Sequence, residues 1–580
     1  KKGVTLYVNR VNCLGLVIMR HLTSKQIDRL HNKIMDHVGV LLRQFVLFSV
    51  PVLTLFFQPG VLLALPEGAT VRGGSASIST GADSLTISQG SQRAVIDWDS
   101  FSIDRGELTE FLQSGRDAAV LNRVTGGNLS EIYGTLRANG QVFLINPSGV
   151  LVGSEGTIDT AGFMASTLDV ANDAFMRGET LVLSGESEAA IRNLGTIRAA
   201  DGDVHLLAHR VENSGQIEAP AGQASLLATH RVELHPQGSR FFSVKLSESE
   251  LKDAGVENTG VMNAAQVRLA SGNGNPYALA VNNTGTVRAQ SVEHRDGRIL
   301  LTAGTGDVAN SGTLETSDAA PANPDSTENT PDVLMRAEKG HLVHSGNIHA
   351  SADRVDLLGE TVALEGNATV DVSAPEQAGS INVGGGFQGQ GTPQNARITT
   401  VGEKVTLRAD SRTGDAGSVA VWADDTTRFD GNISARARGP DGSGGLAEVS
   451  GKQHLVYNGF ADLRAASGDT GTLILDPNNV EVTDAAPATD FTQITTADLS
   501  TQLGGSNVIV HTSGTDGELG IIRISSAIND TSGNDLTFLA HDEVQVDADV
   551  AVTGDLAMVA GWDGDLGVTV SPPTMLNGAD

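Results

Sequence analysis

The sequence contains very few cysteine and aromatic residues. Its single cysteine, Cys13, lies within the first 64 residues, so the rest of the chain cannot form a disulfide of its own. Aromatic residues make up only 4% of the chain, whereas 68 of the 580 residues are glycine. This composition cannot fill a series of compact cores. It favours a narrow, repetitive β architecture that uses glycine at its corners.

The chain is also poor in basic residues. It has 39 Lys and Arg against 69 Asp and Glu. Residues 1–64 hold eight of the basic and two of the acidic residues, so the remaining chain has 31 basic and 67 acidic residues, a formal charge of −36. Nucleic-acid binding requires concentrated positive charge, so we expect no nucleic-acid partner. An acidic surface instead keeps a long protein soluble.

Only one long apolar stretch is present. Residues 44–64, QFVLFSVPVLTLFFQPGVLLA, follow a basic segment that ends at Arg43, and Pro51 interrupts them. The apolar part is shorter than a membrane-spanning helix requires. The stretch therefore predicts a secretory signal cleaved near Ala64, with residues 1–64 as an extended signal peptide region.

An internal repeat dominates the sequence after residue 178. The heptapeptide NLGTIRA, beginning at Asn193, recurs as NSGQIEA from Asn213, and looser copies begin at Asn258, Asn283 and Asn310. A period of about 20 to 27 residues with Asn and Gly at one corner predicts an all-β fold, a right-handed parallel β-helix. We expect the asparagines to stack as a ladder and the glycines to adopt a left-handed backbone conformation.

The N-terminal part of this solenoid is predicted to carry a cap. Apolar residues alternate with polar ones from about residue 68 onward, which is typical of half-buried strands. Trp98 and Phe101 follow this region. We interpret them as a capping cluster over the exposed edge of the first coil rather than as a sugar-stacking site.

The stretch Asn139–Gly153 predicts two strands joined by a tight turn. Val142–Ile145 and Val150–Val152 are apolar, and the sequence between them is Asn-Pro-Ser-Gly. Pro147 presets φ at the first corner of a turn, and asparagine and glycine are favoured in the flanking positions. The direction change is therefore encoded in the backbone chemistry.

Several motifs around this turn occur in an order known from one family. In chain order they are Arg93–Trp98, Leu121–Asn128, Asn139–Gly153 and Gly162–Val170. Together they resemble the secretion domain of two-partner-secretion exoproteins, the filamentous haemagglutinin and high-molecular-weight adhesin group, over about residues 66–178. The resemblance implies export across the periplasm and outer membrane of a Gram-negative bacterium by a dedicated outer-membrane β-barrel transporter with periplasmic POTRA domains.

The resemblance also implies which residues serve secretion. The implied secretion or transporter-recognition residues are Asn122, Arg123, Val124, Thr125, Asn146, Pro147, Ser148 and Gly149. The family usually has asparagine where this chain has Ser148, and serine tolerates a left-handed φ less well, so we expect a shifted turn. A purely structural role stays open, in which these residues only form the turn that nucleates the first coils.

The repeats and the resemblance predict a domain organisation. Its segments are a signal region at 1–64, the two-partner-secretion domain at 65–185, repeats completing it at 186–315, a loop at 316–332, further repeats at 333–475 and a β-rich region at 476–580. Residues 375–395 are predicted to be another loop. Because no terminal motif is recognisable near Asp580, we expect a longer native protein.

Two sets of residues could carry chemistry. The first set is Asp410, Asp415, Asp424, Asp425 and Asp430, which lie largely at glycine-flanked corners with no basic residue in register. We interpret them as turn residues. The second set is the pairs His205/His209 and His341/His344, which lack a nameable third ligand and are interpreted as exposed. The sequence therefore predicts no catalytic residue, cofactor or metal site, and no enzyme.

The leading interpretation is a secreted, surface-displayed β-helical exoprotein, an adhesin that binds an unidentified receptor or glycan on a host or neighbouring cell. A β-helical carbohydrate-active enzyme is one alternative. A carrier stem for a toxin or for a haem-capturing tip is another, because members of the family share the secretion domain and differ beyond it.

Overall fold

A computed structural model describes residues 65–238, 241–246, 254–272, 279–290, 297–317, 331–351, 353–391, 394–512 and 520–562. The predicted signal region and most of the predicted loop at 316–332 lie outside the described residues. The helices of the described ranges are two short α-helices, α1 (Asn172–Arg177) and α2 (Thr496–Leu503), and a 3₁₀ turn at Phe387–Gly389. None of these helices is long and apolar enough to span a membrane.

Strands make up almost all of the remaining regular structure. The strands up to residue 246 are β1 Thr70–Gly73, β2 Ala76–Thr80, β3 Ser84–Gln89, β4 Arg93–Trp98, β5 Leu108–Leu112, β6 Ala119–Val124, β7 Ser130–Ile132, β8 Thr135–Ala138, β9 Gln141–Ile145, β10 Val150–Val152, β11 Thr157–Thr160, β12 Gly162–Ser166, β13 Leu181–Ser184, β14 Ala190–Asn193, β15 Thr196–Ala199, β16 Val204–Ala208, β17 Arg210–Asn213, β18 Gln216–Ala228, β19 Arg231–Gln237 and β20 Phe241–Leu246. The two strands predicted around the Asn146 turn correspond to β9 and β10 and are confirmed.

The later strands are, on average, as short as the earlier ones. They are β21 Gly255–Asn258, β22 Val261–Ser271, β23 Leu279–Asn283, β24 Thr286–Gln290, β25 Arg298–Ala303, β26 Asp307–Asn310, β27 Thr313–Ser317, β28 Val333–His344, β29 Asn347–Ala350, β30 Arg354–Leu364, β31 Thr369–Asp371, β32 Ser380–Val383, β33 Ile398–Val401, β34 Thr406–Arg408, β35 Ser418–Ala423, β36 Thr426–Phe429, β37 Asn432–Ser434, β38 Leu446–Gly451, β39 His454–Tyr457, β40 Phe460–Asp462, β41 Thr472–Pro477, β42 Val480–Val482, β43 Thr492–Ile494, β44 Asn507–His511, β45 Ile522–Ile524, β46 Ile528–Asn529, β47 Leu536–Ala540, β48 Val544–Val546, β49 Val550–Ala551 and β50 Leu556–Ala560.

Most of the strands stack into three parallel sheets, because most pair with their counterparts one coil before and one coil after. Sheet A begins with β4, β6, β9, β12 and β16 and continues to β50. Sheet B begins with β3, β5, β8, β11 and β15. Sheet C begins with β7, β10, β14 and β17. Long strands bend from one sheet into the next: β18 pairs in sheet B and then in sheet A. The predicted parallel β-helix is confirmed; its handedness stays a prediction.

The interior of the coil is a narrow core with a polar seam at one corner. Leucine, isoleucine, valine and alanine alternate inward along all three sheets and are almost fully buried. At the end of the sheet C strands, the side chain of Asn193 donates to Asn213 at 2.8 Å. The same contact links Asn213 to Asn258, Asn258 to Asn283 and Asn283 to Asn310, each at 2.7 Å. The predicted asparagine ladder is therefore confirmed.

The repeat glycines have a different role from the predicted one. Gly195 and Gly215 are not among the glycines with a left-handed φ. A Cβ on Gly215 would instead lie 2.1 Å from the Gly195 carbonyl oxygen, and one on Gly195 would lie 2.3 Å from that of Gly156. The expectation of a left-handed corner is wrong. Glycine is required because successive coils approach too closely for a side chain.

The first coil is capped by backbone rather than by aromatic side chains. Strand β1 pairs antiparallel with β4, and β2 pairs antiparallel with β3. Trp98 and Phe101 are each only 1% exposed and pack edge to face in the interior, with ring centroids 5.5 Å apart. Their interpretation as a capping cluster is wrong, because both rings point into the core. Their burial also rules out sugar stacking.

A small layer covers the outer face of sheet A in its N-terminal part. Strands β13, β19 and β20 form an antiparallel sheet, the side sheet, and α1 lies beside it. Together they bury a second apolar cluster that includes Phe143, Met164, Phe175, Leu207 and Phe242. Phe143 contacts both Phe175 and Phe242 edge to face. The side sheet is thus anchored on sheet A by aromatic contacts.

The C-terminal region keeps the architecture and adds one helix. Strands β44, β47 and β50 extend sheet A, which confirms strands expected there from the sequence. Helix α2 begins after Thr495, whose hydroxyl accepts a hydrogen bond from the Asp498 N–H at 3.0 Å. The predicted loop at 375–395 is partly wrong, because it contains β32 and the 3₁₀ turn.

Candidate secretion site

The turn after β9 has the hydrogen bonds expected of its sequence. The Asn146 side-chain oxygen accepts from the Ser148 N–H at 2.8 Å, and the Asn146 carbonyl accepts from the Gly149 N–H at 2.9 Å. Gly149 supplies the left-handed position, with φ +100°. The Asn146 side chain therefore caps the turn.

The same side chain also ties the turn to the preceding coil. The Asn146 amide nitrogen donates to the Asn128 carbonyl oxygen and to the Ser130 hydroxyl, both at 2.9 Å. Asn146 has no exposed surface. Both ends of one amide are therefore used, and the turn is fixed against the start of β7.

Ser148 does not adopt a left-handed backbone conformation. Among the described residues, the only non-glycine residues with positive φ are Gln388 and Asp490. The third turn position is therefore not left-handed. In this turn the positive φ lies at Gly149, and a shift relative to turns with asparagine in the third position stays a prediction.

Asn122 connects the same two coils from inside sheet A. Its side-chain oxygen accepts from the Trp98 ring nitrogen at 3.0 Å, and its amide nitrogen donates to the Phe143 carbonyl oxygen at 3.3 Å. Asn122 is fully buried. Since β6 pairs directly with β9, the residues 122–125 and 146–149 lie on adjacent coils.

Arg123 holds the segment that leads into α1. Its guanidinium donates to Asp169 at 2.9 Å, to the Val170 carbonyl oxygen at 2.7 Å and to the Asn172 side chain at 2.7 Å. Asp97 lies 3.5 Å away on the other side. The side chain is only 16% exposed, so this is a structural anchor rather than a free positive charge.

The remaining secretion residues are divided between interior and surface. Val124 is buried, whereas Thr125 is exposed and both its N–H and its hydroxyl bind the Trp98 carbonyl oxygen. Pro147 is exposed and Ser148 is half-buried. A partner of the folded domain could therefore reach Thr125, Pro147 and part of Ser148, but neither of the two asparagine side chains.

Sequence reasoning did not identify the partners that complete this site. Asn128 and Ser130 accept hydrogen bonds from the Asn146 amide. Asp169 and Asn172 accept hydrogen bonds from the Arg123 guanidinium. Asn128 and Asp169 lie inside the quoted motifs, so the motifs carried that information. Their pairing across 18 and 46 residues depends on which coils are adjacent.

The aspartates at 410–430 serve as turn and ion-pair residues. Contrary to the expectation that no basic residue accompanies them, Asp410 pairs with Arg438 at 2.7 Å, Asp425 with Arg397 at 3.2 Å and Asp430 with Arg428 at 2.6 Å. Asp415 accepts from the Ser443 N–H and Asp424 from the Trp422 ring nitrogen. These partners satisfy the carboxylates, which favours the interpretation as turn residues.

The histidine expectations need correction. His205 and His344 are 1% and 0% exposed, so the interpretation of all four residues as surface positions is wrong. His205 lies 3.3 Å from Asp203, whereas His344 ends the asparagine ladder, 3.1 Å from Asn310. Burial lowers the pKa of His344 to about 4. In the described ranges no three His, Cys, Asp or Glu side chains are placed to hold one metal ion.

The protein is thus a β-helix whose N-terminal part has a capped first coil, a side sheet, and the motifs 122–125 and 146–149 on adjacent coils. Residues 63–316 match the TPS secretion domain family. The chain thus carries the secretion domain of a two-partner-secretion exoprotein, a class that is secreted across the outer membrane of Gram-negative bacteria.

Parts of this chain are similar in sequence to two named proteins. Both are called "Heme/hemopexin-binding protein" and come from Haemophilus influenzae. One, from strain ATCC 51907 / DSM 11121 / KW20 / Rd, is 31% identical over 248 residues, which is 41% of this chain and 27% of the relative. The other is 47% identical over 91 residues, 16% of this chain and 10% of the relative. The alignments thus span only about a quarter and a tenth of these relatives.

One solved structure is similar to the chain. It is described as the crystal structure of the HMW1 secretion domain from Haemophilus influenzae. It is 26% identical, covers 71% of this chain and all of the solved chain, and superposes with a TM-score of 0.49.

Proposed function

We propose that the secretion domain directs export through a dedicated outer-membrane transporter with POTRA domains, and that Asn122 and Asn146 act while the chain is still folding. The observation that supports this is their burial. Both side chains are 0% exposed in the folded coil, so a transporter can contact them only before the coils close.

We also propose that Asn146 speeds the folding of the first coils outside the cell. Parallel β pairing is slow to form because distant segments must first be brought together. A turn whose side chain binds its own backbone and the preceding coil lowers the number of arrangements to be searched. Asn146 does both through Ser148, Asn128 and Ser130. We therefore expect its loss to slow the formation of the first coils.

The experiment is co-expression of the full chain with its transporter. We expect Asn146→Ala to reduce the amount of secreted protein at least tenfold. The matched control is Asn310→Ala, which removes another buried corner asparagine, 1% exposed, from inside the secretion domain. Equal secretion of both variants would contradict a role for Asn146 beyond general stability.

Once outside, the chain is proposed to act as an adhesin. A groove with a volume of about 470 Å³ on the outer face of sheet B supports this assignment. Its polar lining includes Arg198, Glu218, Asn263, Arg288, Glu315 and His349. Charged and amide side chains on successive rungs, about 4.8 Å apart, suit the hydroxyl groups of an extended glycan. Glycan-array binding of the purified chain, lost in Asn263→Ala, tests this.

Capture of haem or of hemopexin is the second candidate function. It is favoured by the names of the two relatives. Titration of the purified chain with hemin, followed by its absorption spectrum, and pull-down with hemopexin distinguish it from glycan binding. Binding of neither would remove this candidate.

A further inference from the structure

Three segments of the chain meet beside the side sheet. His209 lies in the corner between β16 and β17, and His230 lies in the corner between β18 and β19. The loop after β13 joins them, because the Gly185 N–H donates to the His230 carbonyl oxygen at 3.1 Å. This contact brings Glu186 to the same place. All three segments belong to the secretion domain but lie apart from its two motifs.

The two imidazoles face each other through ring nitrogens. Nδ1 of His209 lies 3.3 Å from Nε2 of His230, and the ring planes are inclined by 38°. Zinc binds imidazole nitrogen at about 2.0–2.1 Å in tetrahedral geometry, which places two ligand nitrogens about 3.3 Å apart. The observed separation is thus the one that a shared tetrahedral ion requires.

The second nitrogen of His230 faces a carboxylate. Nδ1 of His230 lies 3.9 Å from the Glu186 side chain, which is otherwise almost fully exposed. Histidines that bind metals commonly donate their other N–H to a carboxylate, which fixes the tautomer and strengthens the ligand. A small rotation of Glu186 would complete this contact.

We propose that His209 and His230 are a two-histidine site for a divalent transition-metal ion of the zinc type, with water in its remaining positions. Imidazole pairs select zinc, copper or nickel, whereas magnesium and calcium prefer oxygen ligands. The ion connects the corner of the coil to the side sheet. A plain hydrogen bond between the rings is the competing explanation.

The test is zinc titration of the tag-free chain by calorimetry. We expect one ion per chain at micromolar affinity and a melting temperature that rises with zinc and falls again with a chelator. His209→Gln and His230→Gln should each weaken binding at least tenfold and remove the rise. Calcium should produce neither effect.

His235→Gln is the matched control. It lies on β19 five residues from His230, its side chain is 39% exposed, and it contacts Glu233 and Thr180 instead of the pair. We expect its zinc affinity to be unchanged, and that of Glu186→Gln to fall severalfold. The proposal is overturned if zinc shows no saturable binding below millimolar concentration, or if His235→Gln weakens binding as much as His230→Gln.

Discussion

The buried side chain of Asn146 makes three hydrogen bonds that hold the turn and the preceding coil together. Removing it leaves the Ser130 hydroxyl, the Asn128 carbonyl and the Ser148 N–H without their present partner. A lost hydrogen bond costs about 1 kcal/mol, and a buried group left unpaired costs about 1–3 kcal/mol. We expect Asn146→Ala to destabilise the first coils by about 2–4 kcal/mol. Hydrogen exchange of the Asn128–Ile132 amides, compared with those of β35, measures it; unchanged exchange would contradict the estimate.

His344 makes the asparagine ladder sensitive to acid. It occupies the next rung after Asn310, and its burial lowers the pKa to about 4 from an unfolded value near 6.5. Between pH 6.5 and about pH 4, His344 therefore binds a proton in the unfolded chain but not in the folded chain. The resulting stability is present above pH 6.5 and is lost as the pH falls toward 4.

We expect His344→Asn to continue the ladder and to remove this loss. Relative to the parent, the variant should gain about 2–3 kcal/mol on going from pH 7.5 to pH 4.5, since each pKa unit corresponds to about 1.4 kcal/mol. Thermal unfolding at the two pH values gives the measurement. His349→Asn, an exposed histidine on the outer face of sheet B, is the control. An equal acid sensitivity in parent and His344→Asn would contradict the assignment.

Glu448 has the opposite dependence on pH. It is 1% exposed on β38, and burial raises its pKa to about 8. The stability linked to it is fully present below about pH 4.5 and is lost as the pH rises through 8. Glu448→Gln keeps an oxygen for the Gln388 N–H, which now donates at 2.8 Å, and the Ser450 hydroxyl can reverse its hydrogen bond. We therefore expect the variant to melt at a higher temperature than the parent at pH 8.5 and at a similar one at pH 5. A lower melting temperature at pH 8.5 would show that the ionised carboxylate is needed.

At the scale of the element, coil spacing decides which glycines can be replaced. A Cβ on Gly215 would lie 2.1 Å from the Gly195 carbonyl oxygen, whereas one on the exposed Gly127 would meet nothing within 4 Å. We expect Gly215→Ala to destabilise its coil by at least about 2 kcal/mol, as strained core substitutions do. Gly127→Ala should leave the melting temperature nearly unchanged. Similar melting temperatures for both variants would show that the coils can separate without cost.

The sequence predicted the coil elements well because their signals are local. The Asn193 and Asn213 repeats lie one coil apart, so spacing alone gave the ladder, and the alternation around Val142 gave its strands. The side sheet was not predicted, because the β13 pairing of Leu183 with Val232 spans almost 50 residues and its strands alternate like those of the coil. Likewise, the sequence paired His209 with His205, whereas the fold pairs it with His230.

At the scale of the whole molecule, the secretion motifs could be located from the sequence but their mode of action could not. The motifs gave residues 122–125 and 146–149. Only the coil stacking revealed that Asn122 and Asn146 are buried and that Thr125 and Pro147 remain accessible. Burial of a polar side chain depends on distant neighbours, which a single sequence does not display. The secretion domain itself reaches residue 316, well beyond the region of close similarity to residue 178.

The antiparallel pairing of β1 with β4 closes the N-terminal end of the coil. New coils can therefore be added only toward the C-terminus, and each one finds a ready edge of unpaired backbone groups on the coil before it. If such a chain leaves a pore N-terminus first, each added coil is a folded unit that is too wide to slide back through the pore. Export of such a chain becomes a ratchet, in which thermal motion supplies the steps and folding on the far side gives them their direction.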